Sequence, residues 1–96
     1  MDEDLKKAAE WFLKSAKSGL ARGQKHIGLM YKRGLGVNQS DEEALKWFQK
    51  AAEQGDVLGQ ANLGLMYKDG RGVEQDDEKA VEWYRKAVAQ LSLIHI

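Results

Sequence analysis

Apolar residues in this chain fall into stripes with helical spacing, and the stripes recur. Between Asp41 and Gln54, apolar side chains stand at Ala44, Leu45, Trp47, Phe48, Ala51 and Ala52, which is one face of a 3.6-residue helix. The same pattern is found earlier at Ala8, Trp11 and Phe12, and later at Ala80, Trp83 and Tyr84. It predicts helices over about 5–18, 41–54 and 77–90. A second kind of stripe, Ile27, Met30 and Tyr31 against Leu63, Met66 and Tyr67, predicts helices over about 21–33 and 57–69.

Local punctuation agrees with these boundaries. Ser40 and Glu43 have capping-box spacing, and Asp4 and Asp76 occupy the same register with a carboxylate able to cap. Gly19 and Gly55 stand where a helix commonly ends in a left-handed residue. Each helix of the second kind stops at a Gly-x-Gly turn, Gly34 to Gly36 and Gly70 to Gly72. Gly28 and Gly64 lie mid-helix, where glycine costs about 1 kcal/mol relative to alanine; the compensation expected is close approach of a neighbouring helix.

These signals repeat every 36 residues: Trp11, Trp47 and Trp83; Lys14, Lys50 and Lys86; Gly23-Gln24 and Gly59-Gln60. A period of this length built from helix pairs is the mark of a solenoid. The expected fold is all-α, an α-solenoid of antiparallel helix pairs with about five helices. It occupies residues 1–90 as a leading helix at 5–18, a repeat at 19–54 and a repeat at 55–90.

Composition narrows the functional classes. Fifteen basic and fifteen acidic side chains cancel, so no long-range field draws the chain to nucleic acid or anionic lipid. With no cysteine, neither a disulfide framework nor a thiolate metal site is available. Met1 to Lys7 runs acidic then basic without an apolar stretch, unlike a secretory signal, and nowhere do the roughly 20 apolar residues of a membrane helix occur.

The combined motif, Gly-x-x-x-Gly-Gln-x-x-Leu/Ile-Gly-Leu-Met-Tyr-Lys-x-Gly-x-Gly-Val followed by Asp-x-x-Ala-x-x-Trp-Phe-x-Lys-Ala-Ala-x-x-Gly, resembles the Sel-like repeat family, relatives of tetratricopeptide repeats. A tetratricopeptide repeat proper has about 34 residues and a proline near its end; the longer period and the absence of proline favour the Sel-like branch. The resemblance implies a right-handed superhelix and a non-catalytic adaptor that binds a protein or peptide on its concave face. In that groove it implies Arg22, Lys25, Leu29, Lys32 and Arg33 from one repeat, and Leu58, Ala61, Leu65, Lys68 and Asp69 from the next. Such a face suits a peptide with acidic residues beside an apolar anchor; its alternative reading is a merely solvated surface. A cysteine-rich branch of the family is associated with penicillin binding and β-lactam hydrolysis, and there the match fails for want of cysteine. A regulatory array joined to an enzyme domain is a third reading.

No catalytic, cofactor or metal constellation stands out. The acidic clusters at Asp2 to Asp4, Asp41 to Glu43 and Asp76 to Glu78 begin helices, where the helix dipole favours negative charge, and none has calcium-loop spacing. Ser15, Ser18 and Ser40 lack a paired base, and His26 is a lone imidazole replacing Asn62 in register. The three tryptophans read as packing residues rather than stacking platforms. After Gln90 the register calls for a glycine, but the chain continues Leu91-Ser92-Leu93-Ile94-His95-Ile96. That hexapeptide matches the translation of a transposase mosaic-end adapter, so residues 91–96 read as a non-native tail on a piece of a longer array. Exposed apolar residues at Ala87, Val88 and Leu91 are expected to promote self-association.

Overall fold

The computed structural model describes residues 2–94. Five α-helices follow one another: α1 Glu3–Lys17, α2 Ala21–Arg33, α3 Asp41–Glu53, α4 Val57–Asp69 and α5 Asp77–Ile94. Each packs on its neighbours in the chain, and no strand occurs among the described residues. Helices α1, α3 and α5 are the tryptophan-bearing kind, and α2 and α4 are the glycine-rich kind.

Two apolar clusters form the core, and Tyr31 packs against both. The first gathers Ala9, Ala16, Ile27, Met30 and Trp47 from α1, α2 and α3. In the second, Ala44, Phe48 and Ala52 of α3 meet Leu63, Met66 and Tyr67 of α4 and Ala80 of α5. Helix α3 therefore contributes to both. The mid-helix glycines have the role expected of them: a Cβ on Gly28 would stand 2.8 Å from the Phe48 ring, and one on Gly64 3.0 Å from the Tyr84 ring.

Polar ties reinforce each junction at a fixed offset. Buried Gln24 donates through Nε2 to the Ala16 carbonyl (3.3 Å) and accepts at Oε1 from Gln54 Nε2 (2.7 Å). One repeat later Gln60 donates to the Ala52 carbonyl (3.3 Å) and accepts from Gln90 Nε2 (2.9 Å). A buried amide is costly unless its hydrogen bonds are made, so these glutamines fix the depth at which α2 and α4 seat.

Four expectations need correction. Asp2, not Asp4, caps α1, accepting from the Asp4 and Leu5 amides at 2.8 and 3.2 Å, and the helix starts at Glu3. The internal caps are tethered from outside, since the Ser40 and Asp76 amides donate to the Tyr31 and Tyr67 carbonyls, whereas Asp4 lies inside α1. Helix α5 runs to Ile94 rather than stopping near 90. Gly19 and Gly55 end α1 and α3 with φ of 90° and 91°, and Leu91 in that register makes the left-handed turn costly. His95 and Ile96 lie outside the described residues. Finally, packing holds for Trp47, which is 5% exposed, but not for Trp11, which is 70% exposed on a helix that packs chiefly on α2. Ala87, expected at the surface, is buried, while Val88 and Leu91 are exposed.

One helix is undercapped. Asp56 accepts from the Gly59 amide at 2.7 Å and caps α4, whereas Leu20 in the same register gives α2 no side-chain cap. Leu20 is exposed, so Leu20→Asp should stabilise the chain by about 0.5–2 kcal/mol. A urea titration should show a higher midpoint with unchanged slope; an unchanged or lower midpoint would refute the capping argument.

Candidate functional site

The ten residues singled out in sequence lie on α2 and α4, each set as one stripe at i, i+3, i+7, i+10 and i+11. The structure brings the two helices together through side chains. Lys32 Nζ of α2 donates to Asn62 Oδ1 of α4 at 3.2 Å, and Lys25 Nζ lies 3.8 Å from the Asp56 carboxylate that caps α4.

The ten are not equivalent. Lys25 and Lys32 are half-buried and engaged in these inter-helix contacts. Leu29 packs against the core and Ala61 is half-buried. Arg22, Arg33, Lys68 and Asp69 are exposed and enter no ion pair among the described residues; Leu58 and Leu65 are exposed apolar residues. What remains for a ligand is an apolar pair on α4 with cations on both helices.

Electrostatics sharpen this picture around Lys32. Partial burial is the main cause holding its ammonium below the usual lysine value, and the charges of Arg71 and Arg33 push the same way against Asp69 and Asp41. Arg71 is itself held by Asp41, with its guanidinium nitrogens 2.7 and 3.3 Å from the carboxylate oxygens. That contact is the first cause lowering the Asp41 carboxyl below its ordinary range. Positive charge thus accumulates where the end of α2 meets the loop after α4.

His26 does not stand free among lysines. Its ring stacks on Phe12 of α1, with centroids 4.6 Å apart and planes 30° from parallel. Burial first, then Lys25 and Arg22, lower its pKa, with Asp56 opposing. An unfolded chain therefore takes up the proton first, and acidification through the ordinary imidazole range lowers folding stability. Among the described residues no group of His, Asp and Glu is arranged to hold a metal ion, and no helix is long and apolar enough to cross a membrane.

Comparison with known families matches the Sel1 repeat at residues 1–20, 21–56 and 57–90. The chain belongs to the Sel1 repeat family. Among solved structures it is similar to a protective antigen of uropathogenic Escherichia coli displaying an SLR fold, at 44% identity and a TM-score of 0.87 over 88% of this chain and 18% of that one. It is also similar to a Sel1 repeat protein of Oxalobacter formigenes, at 39% identity and a TM-score of 0.84 over 85% of this chain and 63% of that one. Cysteine-rich protein B of Helicobacter pylori shares the fold, with 24% identity and a TM-score of 0.83 over 93% of this chain and 65% of that one. In each case the chain spans less than two thirds of the solved protein. Comparison with curated proteins finds no match.

The Sel1 framework also explains which residues escaped the sequence reading. Asn62 and Arg71 each join the Sel1 units 21–56 and 57–90, Asp56 reaches back within the former to Lys25, and four of the side-chain ties, Lys32–Asn62, Gln24–Gln54, Gln60–Gln90 and Arg71–Asp41, share an offset of 30 residues. Only the glutamines repeat visibly at the family period. The others occur once, because His26 replaces Asn62, Leu20 replaces Asp56 and Leu35 replaces Arg71 in the neighbouring unit.

Proposed function

We propose that this Sel1 chain is a non-catalytic interaction module that binds a peptide or protein along the α2–α4 face. Sel1 repeats are commonly protein-interaction modules and generally non-catalytic. The observation that carries the reading is the composition of the stripe left over once structural contacts are counted: Leu58 and Leu65 exposed beside Arg22, Arg33 and Lys68. The fold does not use these side chains, and Lys32 to Asn62 holds the two helices at a fixed spacing. A ligand with an apolar anchor flanked by carboxylates would bury the leucines and neutralise the cations, and a preorganised face lowers the ordering cost of such binding.

A library of fluorescein-labelled peptides pairing one apolar anchor with neighbouring Asp or Glu tests this by fluorescence anisotropy. Acidic members should bind in the micromolar range, and their lysine-substituted counterparts should not. The double variant Arg22→Glu, Arg33→Glu should weaken binding at least about tenfold, with an unchanged circular dichroism spectrum. Equal binding by acidic and basic peptides, or binding indifferent to the double variant, would overturn the reading.

A further inference from the structure

Three cations meet at one corner of the α2–α4 face. Lys32 and Arg33 close α2, and Arg71 stands in the turn that follows α4, where the preceding repeat has Leu35 in the same register. A ladder of contacts joins the two elements. Gln39 Nε2 donates to the Lys32 carbonyl at 3.4 Å and to Asp41 Oδ1 at 2.7 Å, and the same carboxylate oxygen accepts from Arg71 Nη2 at 2.7 Å. From the other side Lys32 Nζ reaches Asn62 of α4. Every group in the corner comes from residues 32–71, at the junction of the Sel1 units 21–56 and 57–90, and none comes from α1 or α5.

Charge and donors are both left over there. Two carboxylates face the corner, Asp41 and Asp69, yet at the Lys32 ammonium the charges of Arg71 and Arg33 outweigh them. Asp41 is already held by Arg71 through Nε and Nη2. That contact takes two of the five N–H donors of the guanidinium and leaves three. Lys32 gives one of its three to Asn62, and Arg33 is exposed and enters no ion pair among the described residues. A carboxylate offers two oxygens in one plane, and a single guanidinium fork satisfies it. A phosphate group offers three acceptor oxygens and a charge of about −1.5 to −2 at neutral pH, so it can accept from several residues at once.

We propose that Lys32, Arg33 and Arg71 form a phosphoryl subsite, and that the peptide taken up on the α2–α4 face is a phosphorylated one, its phosphate seated at this corner while its apolar anchor covers Leu58 and Leu65. This inference rests on the peptide-binding reading and adds the chemistry of one ligand group to it. Arg71 is what confines the subsite to this junction, since the turn one repeat earlier carries a leucine instead.

The acidic peptides of the library, remade with phosphoserine or serine in place of each Asp or Glu in turn, test it by fluorescence anisotropy at constant ionic strength. At one position phosphoserine should bind at least about fivefold tighter than the carboxylate it replaces. Arg71→Leu, which restores the residue of the preceding repeat, should bring that ratio close to one; Lys32→Gln, which keeps an amide donor for Asn62, should lower it as well. Circular dichroism of both variants should match the wild type. Inorganic phosphate should displace the phosphopeptide more readily than chloride of equal ionic strength, as a built site requires and general screening does not. Carboxylate peptides that bind while no phosphoserine improves on them would overturn the subsite and leave the peptide-binding reading standing; failure of every acidic and phosphorylated peptide would overturn both. A phosphoserine advantage that survives Arg71→Leu and Lys32→Gln, or phosphate no better than chloride as a competitor, would also overturn the subsite.

Discussion

Replacing Phe48 with alanine should remove about 3–5 kcal/mol of folding free energy, a large part of the roughly 5–15 kcal/mol that holds a domain of this size together. Phe48 is fully buried and is the largest of the fully buried side chains. It lies in the core cluster of α3, α4 and α5 while its ring also meets Gly28 of α2, so the substitution opens a cavity where both repeats join. In a linear stack each unit is stabilised by its neighbours, and a loss at the centre uncouples the two halves. The register equivalents Phe12 and Tyr84 are only partly buried, so Phe12→Ala should cost clearly less. Gly28 supplies a test of sign. Gly28→Ala alone places a methyl 2.8 Å from the Phe48 ring and should destabilise, but in the Phe48→Ala background the same methyl enters the vacated space and should restore stability. Urea unfolding of the four chains of this cycle measures the coupling. Additive effects, or a loss below about 1 kcal/mol for Phe48→Ala, would show that the ring does not occupy the space between the repeats.

Phe48 also illustrates what was legible in the sequence. Its stripe with Ala44, Ala51 and Ala52 marks a buried helix face, and the period supplies the neighbours, so helix number, order and the bounds of α2 and α4 follow from pattern alone. Errors concentrate in α1 and α5, whose main packing is against a single neighbouring helix. Trp11 carries the same side chain as Trp47 at the same register, yet one is exposed and the other buried. Periodicity states what a position would do inside an array, and burial is decided by what stands next to it.

The candidate face was legible to a lesser degree. The family resemblance implied its ten residues, which fall on two helical stripes, but neither resemblance nor spacing reveals which cations are already engaged. Lys25 and Lys32 differ from Arg22 and Arg33 only through Asp56 and Asn62, residues of the next repeat with no counterpart in the first. A pattern search rewards what recurs, whereas the contacts that distinguish one face from another are made by what does not.

Gly72→Asn should cost at least about 2 kcal/mol more than Gly70→Asn, although the two glycines stand in the same turn with φ of 72° and 65°. Asparagine tolerates the left-handed region better than other side chains, so backbone strain largely cancels between the variants and the surroundings decide. A Cβ at Gly70 would stand 3.1 Å from the Gln75 Cβ and 3.4 Å from its backbone nitrogen, a tight contact that a shift of a few tenths of an ångström relieves. At Gly72 it would stand 2.5 Å from the Asp41 carbonyl oxygen and 2.8 Å from its carbon, backbone fixed in the first turn of α3. To relieve that overlap the loop must lift off α3, and Arg71 then loses its hold on the Asp41 carboxylate. Thermal unfolding followed by circular dichroism should separate the two variants, and Gly36→Asn should behave like Gly72→Asn, since its Cβ would meet the Leu5 carbonyl in the same way. Equal costs at Gly70 and Gly72 would mean that left-handed strain alone selects glycine there. Unequal costs in the order given would mean that close packing of each turn against the preceding repeat also selects it.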